Sequence, residues 1–231
     1  GSIQKLYAED TNLIIFQERK VSRALIDKDA IYSAEGSSSI TSSNLTIGVI
    51  QPYAGNFGIS RNPESFAVYG YSKYFSDKNN NSILRLSNNG ITEISRVGMK
   101  DFFRDKLNDI DANAGKGFVI GGWDIHNDQY VVSLQQPGVG SVQTKATYNT
   151  VCWDEDINGW TSRFSYAPQV AFSLGANFYT VQYSSLLPGP GIPFKLALWK
   201  HYDNRVNRGS FYDITSVSNV TFVLNTQNTT S

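Results

Sequence analysis

Residues 65–95, SFAVYGYSKYFSDKNNNSILRLSNNGITEIS, leave this chain little freedom in what it can fold into. Apolar and polar residues alternate over short runs, the period of a strand with one face buried. The runs FAVYGY, KYFSD, SILRLS and ITEIS are separated by DKNNN and NNG. Asn-Gly between alternating runs signals a hairpin, because both residues tolerate positive φ. Strands joined this tightly must pair with their sequence neighbours, which makes an antiparallel meander.

The same texture recurs along the chain. NLIIFQERKVSRALI (12–26) mixes an apolar run with alternation. GFVIGGWDIHNDQYVVSL (117–134) reads as a hairpin around IHND, and YNTVCWDEDINGWTSRFSY (148–166) as a second one. QVAFSLGANFYTVQYS (169–184) turns at LGAN and continues through FKLALWKHY (194–202), and VTFVLNTQN (220–228) reads as a further strand. WDIHNDQYVVS and WDEDINGWTSR form a weak repeat: Trp-Asp, a polar turn, an aromatic, then alternation. Groups of about four strands recur at roughly 40–50 residues, the period of propeller blades. Only GMKDFFRDKLNDID (98–111) differs: Met99, Phe102, Phe103, Lys106 and Leu107 fall at helical spacing.

The expected fold is therefore all-β, with antiparallel four-stranded meanders arranged in a propeller-like way and one short amphipathic helix inserted; a sandwich with long hairpins is the alternative. GSSSITSSN (36–44) and LLPGPGIP (186–193) read as loops too short to be domain linkers. Gly1-Ser2 resembles the remnant of a removed tag, which leaves 3–231 as a single domain and a piece of a longer chain.

Charge and cysteine content narrow the function classes. The 20 basic and 20 acidic residues cancel, and the densest basic cluster is only ERK at 18–20. That is no footprint for nucleic acid or an anionic membrane surface. No apolar run is long enough to span a bilayer as a helix. Cys152 is the one cysteine; it allows no internal disulfide, and its place in an alternating run predicts burial.

The candidate sites each have a plainer reading. Asp154, Asp156, Asn158 and Gly159 match the front of a calcium loop, but position twelve is Ser165, which lacks the two carboxylate oxygens that close such a shell. The flanks also read as strands, so a hairpin turn at Asn158-Gly159, with Asp154 and Asp156 accepting backbone N–H bonds, is the expectation. His126 lies between Asp124 and Asp128, yet the only other histidine is His201, and no paired spacing suggests zinc. NAGKGF (113–118) fails as a phosphate loop, since Ile110 stands where the first glycine belongs and Gly117 follows the lysine. Asp154 and Glu155 are neighbours on a turn, whereas glycosidase carboxylates must flank a bond across a cleft. Tyr69, Tyr71 and Tyr74, with Trp160 and Trp199, could stack sugars if they line an open groove; cross-strand packing is the plainer role. No catalytic, cofactor or metal residue is assigned, and no enzyme is expected.

Taken together, NLIIFQERKVSRALIDKDAIYSAEGSSSITSSN, PYAGNFGISRNPESFAVYGYSKYFSDKNNNSILRLSNNGITEIS and GMKDFF resemble large virion structural proteins of tailed bacteriophages. The likeness is to tail-end, nozzle or muzzle components of crAss-like and marine phages. IGGWDIHNDQYVVS, VCWDEDINGWTSRFSYAPQVAFSLGANFYT, LALWKHY and VTFVLN extend it from about residue 12 to 226. The resemblance implies a non-enzymatic scaffold domain of a virion tail, assembled in the host cytoplasm. Its implied partners are other tail proteins and copies of itself in a ring. A carbohydrate- or receptor-binding module, contacting a host surface glycan, is the alternative.

Overall fold

A computed structural model describes residues 2–32, 38–110, 117–136, 147–183, 196–212 and 214–221, with backbone alone for 27–32, 38–46 and 183. Strands pair with their sequence neighbours throughout, so each sheet is a meander. Sheet A contains β1 (Ile3–Ala8), β2 (Asn12–Gln17), β3 (Val21–Tyr32) and β4 (Ser38–Pro52). Sheet B follows, with β5 (Ala67–Tyr69), β6 (Ser72–Asp77), β7 (Ser82–Ser87) and β8 (Gly90–Glu93). After helix α1 (Lys100–Asp109), sheet C holds β9 (Phe118–Asp124), β10 (Gln129–Gln136), β11 (Thr147–Asp154) and β12 (Gly159–Phe164). Among the described residues sheet D has three strands, β13 (Val170–Leu174), β14 (Asn177–Tyr183) and β15 (Leu196–Lys200); a two-residue ladder, β16 (Ser210–Phe211) with β17 (Ile214–Thr215), comes after it. All pairings are antiparallel, and no sheet closes on itself among the described residues.

Successive sheets share cores, and strand alternation decides which core each residue joins. Ile14, Phe16 and Val21 of sheet A meet Phe75, Leu84 and Leu86 of sheet B. The neighbouring residues Tyr74 and Ile83 point the other way, toward Val119, Tyr130, Val132 and Trp153 of sheet C. Within sheet C, Val131 and Cys152 turn from that core to a third one, which includes Phe178 of sheet D. A period of two thus buries both faces of sheets B and C. The helix belongs to the middle core: Phe103 and Leu107 are fully buried there, as their spacing predicts, and Phe103 lies 4.6 Å from the Trp160 ring.

One strand sits at the junction. β9 packs against β5 and β6 of sheet B on one side and β13 and β14 of sheet D on the other. Tyr130 donates a hydrogen bond at 2.7 Å to the carbonyl of Ser65, in the turn that leads into β5, and Ser173 donates to the Trp123 carbonyl at 2.5 Å, tying sheet C to that turn and to sheet D.

Two expectations change on contact with the backbone. Residues 38–44, read as part of a polar loop, lie within β4 and pair with β3, for example Ser38 with Tyr32 and Ile40 with Ala30. Serine and threonine can complete a backbone ladder as well as a loop, and here the partner strand decides. The NNG hairpin also turns differently: Asn88 and Asn89 connect the paired residues Ser87 and Gly90, and it is Gly90 that takes positive φ, +99°. Of the other expected features, LLPGPGIP (186–193) and 222–228 of the last expected strand lie outside the described residues, whereas Val220 and Thr221 are described and not in a strand.

Candidate functional site

The calcium-like stretch is a hairpin turn. β11 and β12 pair from Asp154 with Gly159, leaving Glu155–Asn158 as the connection. Asp154 alone organises it, accepting the N–H groups of Asp156 and Ile157, both at 3.0 Å, and the Gln129 amide at 2.9 Å. These bonds favour the ionised form, and its pKa is lowered, with the Gln129 bond the largest cause. The turn differs from the expected Asn158-Gly159 pair: Asn158 adopts φ +51°, while Gly159 already starts the next strand. Among the described residues no group of three or more His, Cys, Asp or Glu side chains is placed to hold a metal.

Two further turns are built alike. Asp124 accepts the His126 N–H at 2.9 Å, and Asp128 closes the loop at φ +52° before Gln129 pairs with Asp124. Asp77 accepts the Asn80 N–H at 3.2 Å, and Asn81 closes at φ +53° before Ser82 pairs with Asp77. Each loop therefore has an aspartate cap and, four residues later, an Asn or Asp in the left-handed region, which those side chains tolerate best. The two Trp-Asp copies are legible as a repeat. The copy in FSDKNNNS is not, because Ser76 rather than a tryptophan precedes its aspartate, and only the spacing from Asp77 to Asn81 signals it.

The aromatic row does not form one open face. Tyr71 is 77% exposed, Tyr74 is fully buried, and Tyr69 lies flat on Trp123 at 4.4 Å and 9°. Trp123 continues to Tyr74 at 5.3 Å and Tyr74 to Tyr130 at 5.0 Å, a ladder of stacked rings between sheets B and C. Glu155 locks the same junction: it accepts bonds from Tyr74 Oη at 2.6 Å, Trp153 Nε1 at 2.9 Å and Arg85 Nη1 at 2.5 Å. Burial first, then the bond to Glu155, raises the Tyr74 pKa. Cys152 is buried, and burial likewise raises its thiol pKa, which leaves it a weak nucleophile. Of NAGKGF, residues 113–116 lie outside the described residues.

One concavity formed by described residues is not among the sequence candidates as a whole. It has a volume of about 560 Å³ and lies where the end of β15 and residues 202–212 approach the β9–β10 turn. Both histidines line it, with Trp199, Tyr202 and Tyr212. Tyr202 is held by its ring, which stacks on His126 at 4.4 Å and 16°, and by its hydroxyl, which donates to Asp124 Oδ2 at 2.5 Å; its backbone has φ +60°. The cavity carboxylate, Asp203, accepts bonds from Arg205 Nε and Nη2 at 2.9 and 2.7 Å, which hold its pKa well below the usual carboxylate range. Sequence spacing could not assemble this site, because His126 and Tyr202 are brought together only by the packing of sheet D on sheet C.

His201 forms the buried floor, with Nε2 2.8 Å from Thr180 Oγ1. Burial lowers its pKa to about 4. The unfolded chain, with a histidine pKa near 6.5, then binds the extra proton first as pH falls. His201 therefore contributes stability that is complete above about pH 6.5 and is lost as pH falls toward 4, on the order of 3 kcal/mol. Urea titrations across that range should show the loss, and His201→Gln should flatten it. An unchanged slope in the variant would contradict this assignment.

Comparison with known proteins finds no family model that matches the chain and no curated protein that matches it.

Proposed function

We propose that this chain is a non-enzymatic structural component of a bacteriophage virion, a scaffold domain of the tail or nozzle assembly with propeller-like sheet stacking. The observation that carries the reading is the run of shared cores between successive meanders, A with B, B with C and C with D. Strands β5, β9 and β13, the first of sheets B, C and D, also come together, with β9 between the other two. In a propeller each blade begins at the axis and buries its faces against its neighbours, so both features support that arrangement. The resemblance of the motifs to tail proteins supplies the biological setting.

Such a stack is stiff, and its end faces suit assembly. On sheet D, the face turned away from sheet C carries Leu174, 68% exposed, and Leu198, 61% exposed. On sheet A, Leu6 and Ile50 are also exposed. Apolar side chains at the ends of a stack favour association with further sheets, and modest contacts repeated around a ring add up to a stable assembly. Peptide mass spectrometry of purified virions should find this chain at several copies per particle. Its absence from particles that contain the other tail proteins would overturn the reading.

A second reading, recognition of a host surface glycan, is favoured by the aromatic cavity beside Tyr202.

A further inference from the structure

We infer that the cavity beside Tyr202 is a binding site for a saccharide unit, held by ring stacking and amide hydrogen bonds without being cleaved. The inference rests on the glycan-recognition reading and gives it a location and a chemistry.

Among the described residues, six that are not glycine have positive φ, and four of them, Ser60, Asn81, Asp128 and Asn158, have small polar side chains. The exceptions are Tyr202 at +60° and Tyr212 at +55°, and both line this cavity. A bulky residue in the left-handed region is strained and persists only where its surroundings enforce it. Here the stacking on His126 and the bond to Asp124 enforce it for Tyr202, and the Tyr212 hydroxyl donates to Thr180 Oγ1 at 2.9 Å. The result is one exposed ring, Tyr202, fixed before any ligand arrives over the buried Tyr212, which lowers the entropy lost on binding.

The lining chemistry selects the ligand class. Asn204 and Asn207 each offer an amide that both donates and accepts, the match for hydroxyl groups that do the same. Arg208 adds a donor fork, while Asp203 is engaged by Arg205. Lys200 and Arg208 are the two cations of the lining, a phosphate-rich ligand would call for more, and a purely apolar one would strand the amides. The volume of about 560 Å³ lies within the range of small-molecule sites. Hydrolysis would need one carboxylic acid with a raised pKa opposite a second carboxylate. Asp203 is instead held low by Arg205, and Asp124 is occupied by Tyr202 and by the His126 N–H. The geometry therefore binds without cutting.

Titration calorimetry with a panel of glucose, galactose, rhamnose, N-acetylglucosamine and glucuronate, and with oligosaccharides from bacterial surface polysaccharide, tests the inference. At least one member should bind, and Asn207→Ala and Arg208→Ala should each weaken it about 5- to 10-fold, the loss of one hydrogen bond. Both side chains are exposed, so the variants should fold. Tyr71→Ala, at an exposed aromatic away from the cavity, should bind as the parent does. If a saccharide binds equally to the parent and both cavity variants, glycan recognition stands and its assignment to this cavity fails. If no member of the panel binds, both fail.

Discussion

Gly121→Ala should destabilise the protein by about 3 kcal/mol or more, at the upper end of what one added methyl group costs in a packed interior. A Cβ on Gly121 would lie 2.0 Å from the Ser65 carbonyl oxygen, and the obstacle is backbone rather than a side chain that can swing away. Gly122 meets sheet D in the same manner, with the Ala171 Cβ at 2.6 Å. The pair lets β9 pass between two sheets at backbone distance, which any side chain would prevent. Gly70→Ala is the comparison: its φ is +54° with nothing within 4 Å, so it should lose only about 1 kcal/mol, from the backbone conformation alone. Urea unfolding of the two variants measures the difference. Equal, small losses would mean that β9 is not pressed against the backbone at Ser65, in the turn that leads into β5.

Trp153→Ala should cost about 3–5 kcal/mol, the usual range for emptying the site of a large buried aromatic. Trp153 is fully buried, its ring sits 5.5 Å from Trp160 at 66°, and its N–H donates to Glu155 beside the Tyr74 and Arg85 donors. Removing it leaves a cavity in the core between sheets B and C and loosens the carboxylate that Tyr74 and Arg85 also hold. The loss should be less than additive with Glu155→Gln, because both changes break the same junction. Denaturation of the two single variants and the double variant gives the coupling directly. Full additivity would show that Glu155 and Trp153 act independently.

The strands are legible in the sequence because both faces of a middle sheet bury alternate residues, and the turns carry Asn, Asp and Gly where the chain reverses. The helix is legible for a similar reason, since Phe103 and Leu107 recur at its period. Residues 38–44 mislead because a Ser/Thr-rich run has no apolar alternation, and only its partner strand shows that it is extended. The cavity cannot be read at all: Asp124 and Tyr202 are distant in the chain, and the positive φ of Tyr202 has no sequence signature. Gly121 and Gly122 are visible as residues, but their purpose depends on Ser65 and Ala171, which arrive from other parts of the chain.

Immunogold labelling of intact virions with antibody raised against this chain tests whether these stacked sheets serve as part of a virion tail. Label confined to the tail or the portal vertex is the expected result. Label spread over the capsid, or its absence from particles whose opened tails also fail to bind the antibody, would contradict it.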